Sequence, residues 1–435
     1  MGFIESLHGL TFSTVQAIAP RVASWLGPAD SKLVRGIRGQ GQALRYLAAS
    51  RDRLSGDGHR IWVHAPSVGE GLQARAVIEA LRQLRGAVEI IFTHFSPSAE
   101  ALAASMPAQI AGYLPWDAPG TMREALEVLR PDLVVFTKTE VWPTLSRLAA
   151  ERGVATALIG ATLPETSSRT GRLARALLHP SYARLQQIHA VTETDRDRFL
   201  QLGARGTALE VMGDPGIDSA AARALAADPE APWLRPFLAT PAPTVIAGST
   251  WPADEAVLVP ALGRVRERVP GIRLIIAPHE PTPQHVAALH STLEADGWRV
   301  ATLTDVEQHG LTHDGPDAIV VDRVGVLAPL YTAGTVALVG GGFHDAGLHS
   351  VLEPAAARLP VVFGPRHHNA VAAADLLARG GAAEVPDVTA MADVLSRWLT
   401  DADARAEAAD ASAGYITAHL GAAERSARRL LELLD

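Results

Sequence analysis

The 435-residue chain is 48% hydrophobic, enough for two ordinary domains, each with its own buried core. Its formal net charge of −8 gives no global attraction to nucleic acid, and no nucleic-acid partner is expected. Cysteine is absent, which excludes disulfides, thiolate metal sites and a cysteine nucleophile.

In chain order, residues 1–28 come first, with Phe3, Ile4, Leu7, Leu10, Val15, Ile18, Val22, Trp25 and Leu26 at helical spacing. Glu5, His8, Gln16 and Arg21 interrupt the segment, so it falls short of the roughly 20 apolar residues of a spanning helix. It also lacks the basic start and small-residue cleavage site of a signal peptide. The pattern predicts an amphipathic helix lying in a membrane interface; a helix packed on the protein is the alternative. Arg21, Lys32, Arg35, Arg38, Arg45, Arg51 and Arg53 follow with only Asp30 and Asp52 among them, which suits either anionic lipid headgroups or a solvated helix face.

From about residue 58, short β-branched runs alternate with helical stretches, the pattern of a parallel sheet covered by helices. Strands are predicted at 61–64, 88–93, 133–136, 156–159 and 188–191, giving a first α/β domain over 29–220. The segment 221–243, rich in alanine, proline and acids, reads as a linker. A second α/β domain over 244–400 has predicted strands at 244–247, 274–277, 318–321, 336–339 and 361–363. Residues 401–435 are alanine-rich and helical, expected to pack back on the first domain. Ligands of doubly wound sheets gather at the carboxyl ends of the strands, so a cleft between the two domains is the expected site.

The loops at those ends carry the chemistry. Glu70, in Ser67-Val68-Gly69-Glu70-Gly71, opens a helix after the first strand. It is either a general base, if its neighbours tune its pKa upward, or a complement to the helix dipole. Lys138 and Glu140 follow the strand at 133–136; Lys32 and Lys138 are the only lysines. These two charges face the cleft and a neighbouring element, or pair with each other or across the loop. In the second half, Gly248-Ser249-Thr250 offers small residues and amides for a phosphate, and Pro278-His279 ends the next strand. The densest run is Gly340-Gly341-Gly342 followed by His344, His349, Ser350 and a helix from about Val351 with Glu353 in its first turn. Glycines before a helix N-terminus suit an anion, and a carboxylate one turn in suits ribose hydroxyls; the nucleotide is placed there. The spacing of His344, His349, His367 and His368 puts no two on one helix face, and no metal is expected.

Taken together, the ordered pieces resemble the Kdo transferase family, inverting glycosyltransferases of the two-domain GT-B fold. They run from His64–Glu70 through Thr93–Ser98, Tyr113–Asp117, Thr139–Pro143, Gly213-Asp214, Gly248–Thr250 and Pro278-His279 to Gly340–Gly342, His349–Pro354 and Gly364-Pro365. The resemblance implies an α/β fold of two Rossmann-like domains facing an interdomain cleft, with the N-terminal amphipathic helix beside them. It implies Glu70 as the base, Glu140 as a group that stabilises the transition state, and a CMP-Kdo site at Pro278, His279, Val324, Gly325, Val326, Ser350, Val351, Leu352 and Glu353. Ser249, Thr250, Gly341, Gly342 and His349 join that site from the loop reading. The implied reaction moves Kdo from CMP-Kdo to a lipid A precursor (lipid IVA) without cofactor or metal, at the cytoplasmic face of the inner membrane, with anionic lipids as partners.

The chain departs from the family pattern at four places. The lysine of the interdomain motif is Gly216, and the first glutamate of the Glu-Thr-Glu run is Lys138, which is expected to supply the missing positive charge. The arginine after Pro278 is His279, and the Asn-Pro before Leu352-Glu353 is Ser350-Val351. The competing readings are another GT-B nucleotide-sugar enzyme, with a different donor or an epimerase activity, and a non-catalytic nucleotide- or lipid-binding relative.

Overall fold

The computed structural model describes residues 11–19, 28, 31–164, 167, 169 and 171–435. The chain forms two units: Met1–Ser219 with Leu420–Asp435, and Ala220–His419.

The first unit is built on a seven-stranded sheet in the order β3-β2-β1-β4-β5-β6-β7. Its strands are β1 His59–His64, β2 Val88–His94, β3 Ile110–Tyr113, β4 Leu133–Thr137, β5 Ala155–Ala161, β6 Gln187–Ala190 and β7 Leu209–Val211. The paired strands are parallel, so every carboxyl end opens on the same edge. Alternate side chains point to opposite faces of a strand, and helices cover both faces here. Ile61, Val63, Leu133 and Val135 enter one core; Trp62, Val134 and Phe136 enter the other. The helix Ala422–Leu431 lays Ala423, Ala427 and Leu430 into the first of these cores. Asp218 caps it, accepting from the Gly421 amide at 2.6 Å and the Ala423 amide at 3.0 Å.

The second unit has a seven-stranded sheet in the order β10-β11-β9-β8-β12-β13-β14. The strands are β8 Thr244–Thr250, β9 Arg273–Pro278, β10 Val300–Thr302, β11 Ala318–Val320, β12 Val336–Val339, β13 Val361–Phe363 and β14 Ala382–Glu384, again parallel where paired.

Two predicted boundaries need correction. The segment 221–243 is part of the second unit: Ala231, Leu234 and Phe237 are buried with Ile246 and Ile275. The helix Ala402–His419 likewise belongs to the second unit, contributing Ala404 and Ala408 to its other core; the chain rejoins the first unit only at Leu420.

Residues 11–19 are helical, and the remainder of the predicted 1–28 helix lies, apart from Pro28, outside the described residues. Phe12 and Ala19 pack against Val34, Ile37 and Trp116, and Gln16 accepts from the Thr121 hydroxyl at 2.8 Å. Ile18 is 51% exposed. No helix among the described residues is long and apolar enough to cross a membrane.

Candidate functional site

In the first unit, β1 and β4 are neighbours, so the loops after them emerge side by side. The loop after β1 enters the helix Val68–Leu84 with Ser67 at its N-cap. Glu70 therefore stands at the third helical position, where the Ser67 hydroxyl donates to its carboxylate. The loop after β4 begins with Lys138, whose backbone is left-handed at φ 60°. A non-glycine residue held there costs about 1–3 kcal/mol. Its amide donates to the Ile159 carbonyl at 2.8 Å, and its Nζ lies 3.2 Å from Glu70 Oε1.

This pairing resolves the sequence-based alternatives for Lys138: its partner is Glu70. It also sets the direction of the Glu70 shift, opposite to the upward tuning named as the condition for a general base. Burial raises the Glu70 pKa, but the Lys138 charge and the Ser67 hydroxyl outweigh burial and hold the carboxyl below its usual range. Glu140 moves the other way, pushed up by burial and by the Glu70 charge against the pull of Arg169. Two carboxyls at neighbouring strand ends are thus separated in acidity, Glu70 the one that ionises first. Below them, Gln73 on the Glu70 helix donates to Asp214 at 2.8 Å. Asp214 also accepts from the Gly216 amide at 2.7 Å; burial raises its pKa, against these two donors and the Lys138 charge. A Cβ at Gly216 would sit 2.9 Å from Asp214 Oδ1, so a side chain there requires the carboxylate to shift.

Several residues of the resemblance are structural. Trp142 Nε1 donates to His64 Nε2 at 2.9 Å, and His64 Nδ1 lies 3.1 Å from the Thr93 hydroxyl. Burial, then the charge of His94, lowers the His64 pKa to about 3, so it is neutral. Asp117 caps the helix Pro143–Glu151, accepting from the Thr144 and Leu145 amides at 2.9 Å each.

In the second unit, the loops after β8, β9 and β12 meet, as these strands are adjacent. Asp254, buried, organises them: it accepts from the Gly341 amide at 2.8 Å, the Phe343 amide at 3.1 Å and the Trp251 amide at 2.8 Å. The glycines serve close packing. A Cβ at Gly340 would sit 2.3 Å from the Ser249 carbonyl oxygen, at Gly341 2.2 Å from that of Gly347, and at Gly342 2.4 Å from the Gly364 amide nitrogen. Within the glycine run expected to suit an anion, the Gly341 amide is held by Asp254.

Beside this loop stand four half-buried rings. Trp251 stacks on His344 with centroids 4.1 Å apart and on His279 at 4.7 Å; His279 stacks on His349 at 4.4 Å. Trp251 Nε1 donates to His349 Nε2 at 3.1 Å.

Of the other expected donor-site residues, the side chains of Thr250 and Val351 are buried, and the Thr250 hydroxyl donates to Glu255 at 2.8 Å. Pro278 is buried at the end of β9, and Val326 is buried before the helix Leu327–Leu330. Val324 is 69% exposed, and Gly325 is left-handed at φ 91°. Ser249 is left-handed at φ 56°. Ser350 is exposed and accepts from the Leu352 amide at 3.3 Å. Glu353 is paired with Arg223 at 2.7 Å, a partner that nothing in the sequence marked. Trp251, Asp254 and Gln73 were also missed as site residues; the run of small residues before Trp251 was the only local signal for the first two, and Gln73 had none.

A family model described as 3-deoxy-D-manno-octulosonic-acid transferase (Kdo transferase) matches residues 40–219. The 3-deoxy-D-manno-octulosonic acid transferase of Bordetella pertussis is 30% identical over 379 residues, 84% of this chain and 85% of that protein. The chain belongs to the Kdo transferase family. It is thereby a glycosyltransferase. The family member of Chlamydia pneumoniae is 25% identical over 409 residues, 92% of this chain and 90% of that protein. Among solved structures, the S. aureus MnaA–UDP complex superposes with a TM-score of 0.59 at 12% identity, covering 86% of this chain and 97% of that one. A glycosyltransferase from Rickettsia africae gives 0.57 at 12% identity, covering 87% and 99%. These likenesses establish the fold, two Rossmann-like α/β units of the GT-B type.

Proposed function

We propose that this Kdo transferase moves Kdo from CMP-Kdo onto a lipid A precursor with inversion. The observation that carries the assignment of the base is the Glu70–Lys138 pair at the carboxyl ends of β1 and β4. Glu70, kept ionised by Lys138 and Ser67, takes the proton from the acceptor hydroxyl as that oxygen attacks the anomeric carbon. The carbon–oxygen bond to the phosphoryl group breaks, and cytidine monophosphate leaves with the bonding pair. Glu140, whose pKa is raised by burial, stands beside the developing positive charge of the sugar. Lys138 offers a cation to the sugar carboxylate or the departing phosphate in place of the side chain absent at Gly216. The second unit holds the donor, with Ser249, His279, Val324, Gly325, His349, Ser350, Leu352 and Glu353 as its contacts.

The protein acts at the cytoplasmic face of the inner membrane, held there peripherally. The N-terminal segment and exposed Leu33, 56% accessible, supply apolar contact. Lys32, Arg38, Arg45, Arg51 and Arg53, all exposed, meet anionic headgroups.

Transfer of labelled Kdo, generated as its cytidine-monophosphate ester, to tetra-acylated lipid A precursor tests the reading. A Kdo-lipid product supports it. Donor and lipid that both bind without product would overturn it in favour of a non-catalytic binding protein.

A further inference from the structure

Glu70 and Gln73 are three residues apart on the helix Val68–Leu84, a spacing that puts both on one helix face. Glu70 Oε1 meets Lys138 Nζ at 3.2 Å, from the loop after β4. Gln73 Nε2 donates at 2.8 Å to Oδ1 of Asp214, on the chain beyond β7. The two contacts share an ammonium: the Lys138 charge favours the ionised form of Glu70 and that of Asp214 alike.

The turn that carries Asp214 closes on the same oxygen. The Gly216 amide donates to Oδ1 at 2.7 Å, and a Cβ at Gly216 would sit 2.9 Å from it, so the closed turn and the glycine belong together. Both contacts are N–H donors, which suit a carboxylate that can only accept. The reach of Gln73 is likewise made by a glycine. Gly160, at the end of β5, is left-handed at φ 56°, and a Cβ there would sit 3.1 Å from Gln73 Oε1.

The neighbouring charges are accounted for. Glu140 responds to Glu70 and to Arg169. Asp218 adds to burial in disfavouring the Asp214 anion, while its own carboxylate caps the Gly421 and Ala423 amides. Arg425 donates to the Met212 carbonyl. Burial outweighs the donors at Asp214 and raises its pKa, whereas Glu70 is held below its usual range. Glu70 therefore ionises first and Asp214 later, and coupled groups of this kind titrate in separate steps.

We propose that Asp214 is a positioning residue of the transfer reaction, a second counter-ion that shares Lys138 with the base Glu70 and is held in place by Gln73 and the Gly216 amide. With Asp214 neutral, Lys138 is left to Glu70 alone, which is then ionised but a weak acceptor of the proton. As pH rises and Asp214 ionises, it draws on the same ammonium and returns proton affinity to Glu70, the upward tuning that a general base calls for. The inference rests on the reading of Glu70 as the base.

The test is the pH profile of kcat/KM for Kdo transfer by the full-length protein. Asp214→Asn keeps Oδ1 with both of its hydrogen bonds and removes only the charge. It should lose the uppermost step of the acid limb that belongs to Asp214, leaving those of Glu70 and Glu140. Its alkaline plateau should lie about two- to tenfold below the wild type through kcat, with KM for CMP-Kdo not raised. In the Lys138→Met background the same substitution should add nothing. Gln73→Met keeps every charge and removes a donor to the ionised carboxyl, so the Asp214 step should move to higher pH; circular dichroism confirms that the variants are folded. A wild-type profile in Asp214→Asn, an undiminished loss in the Lys138→Met background, or an unmoved step in Gln73→Met would each overturn the shared counter-ion while leaving Glu70 as the base. Wild-type turnover by Glu70→Gln would overturn both.

Discussion

Replacing Lys138 with methionine removes a charge 3.2 Å from Glu70 Oε1 while keeping an unbranched side chain. At that separation the attraction is about 1 kcal/mol in water and about 5 kcal/mol at an effective dielectric of 20. Lys138 is 46% exposed and Glu70 14%, so solvent screening sets the effective figure near the lower end, about 1–2 kcal/mol. Loss of the cation disfavours the ionised form of Glu70, so its pKa rises, and a base that must be ionised fails at higher pH as the solution is acidified. The acid limb of kcat/KM against pH should therefore move toward neutrality. On that limb the variant should be about five- to thirty-fold slower than the wild type, the factor that corresponds to 1–2 kcal/mol. If Lys138 also faces the donor, KM for CMP-Kdo rises on the alkaline plateau as well. An acid limb that coincides with the wild type would refute the coupling. An unchanged turnover and KM on the plateau would refute the donor contact. Adding Gly216→Lys to this variant should rescue it only partly, because the new Cβ would lie 2.9 Å from Asp214 Oδ1.

Asp254→Ala strands three amides of the β8 and β12 loops. It should cost on the order of 3–5 kcal/mol in urea denaturation and weaken binding of cytidine monophosphate. Trp142→Phe leaves the buried His64 Nε2 without its donor, a loss of about 1–3 kcal/mol by the same measurement. Asp218→Ala uncaps the helix Ala422–Leu431; it should destabilise the first unit by about 0.5–2 kcal/mol and speed hydrogen exchange along that helix.

The central strands were legible because each is buried on both faces and reads as a short apolar run. β3, β7, β10 and β14 were not predicted, and all four are sheet edges. An edge strand has one neighbour, and residues such as Glu210 in β7 and Glu384 in β14 break the apolar signal. The 221–243 segment misled for a similar reason. Its buried Leu234 and Phe237 are spaced among proline, alanine and acids, with neither strand nor helix periodicity long enough to read. The first-unit site was legible as residue types at strand ends, since Glu70, Lys138 and Glu140 each follow a predicted strand. The direction of the Glu70 shift was not, since it depends on β1 and β4 being neighbours and on Lys138 turning left-handed toward the helix. In the second unit the glycine run signalled a crowded loop, but Asp254 as its organiser and the Trp251–histidine stack depend on three loops meeting in space.

The most direct test of the account is Glu70→Gln in the Kdo transfer assay. The amide keeps the shape of the side chain and cannot take a proton from the acceptor. Turnover should fall by about 10²–10⁴-fold with donor binding retained. A variant that keeps wild-type turnover, with the acid limb of its pH profile in place, would contradict the assignment of Glu70 as the base.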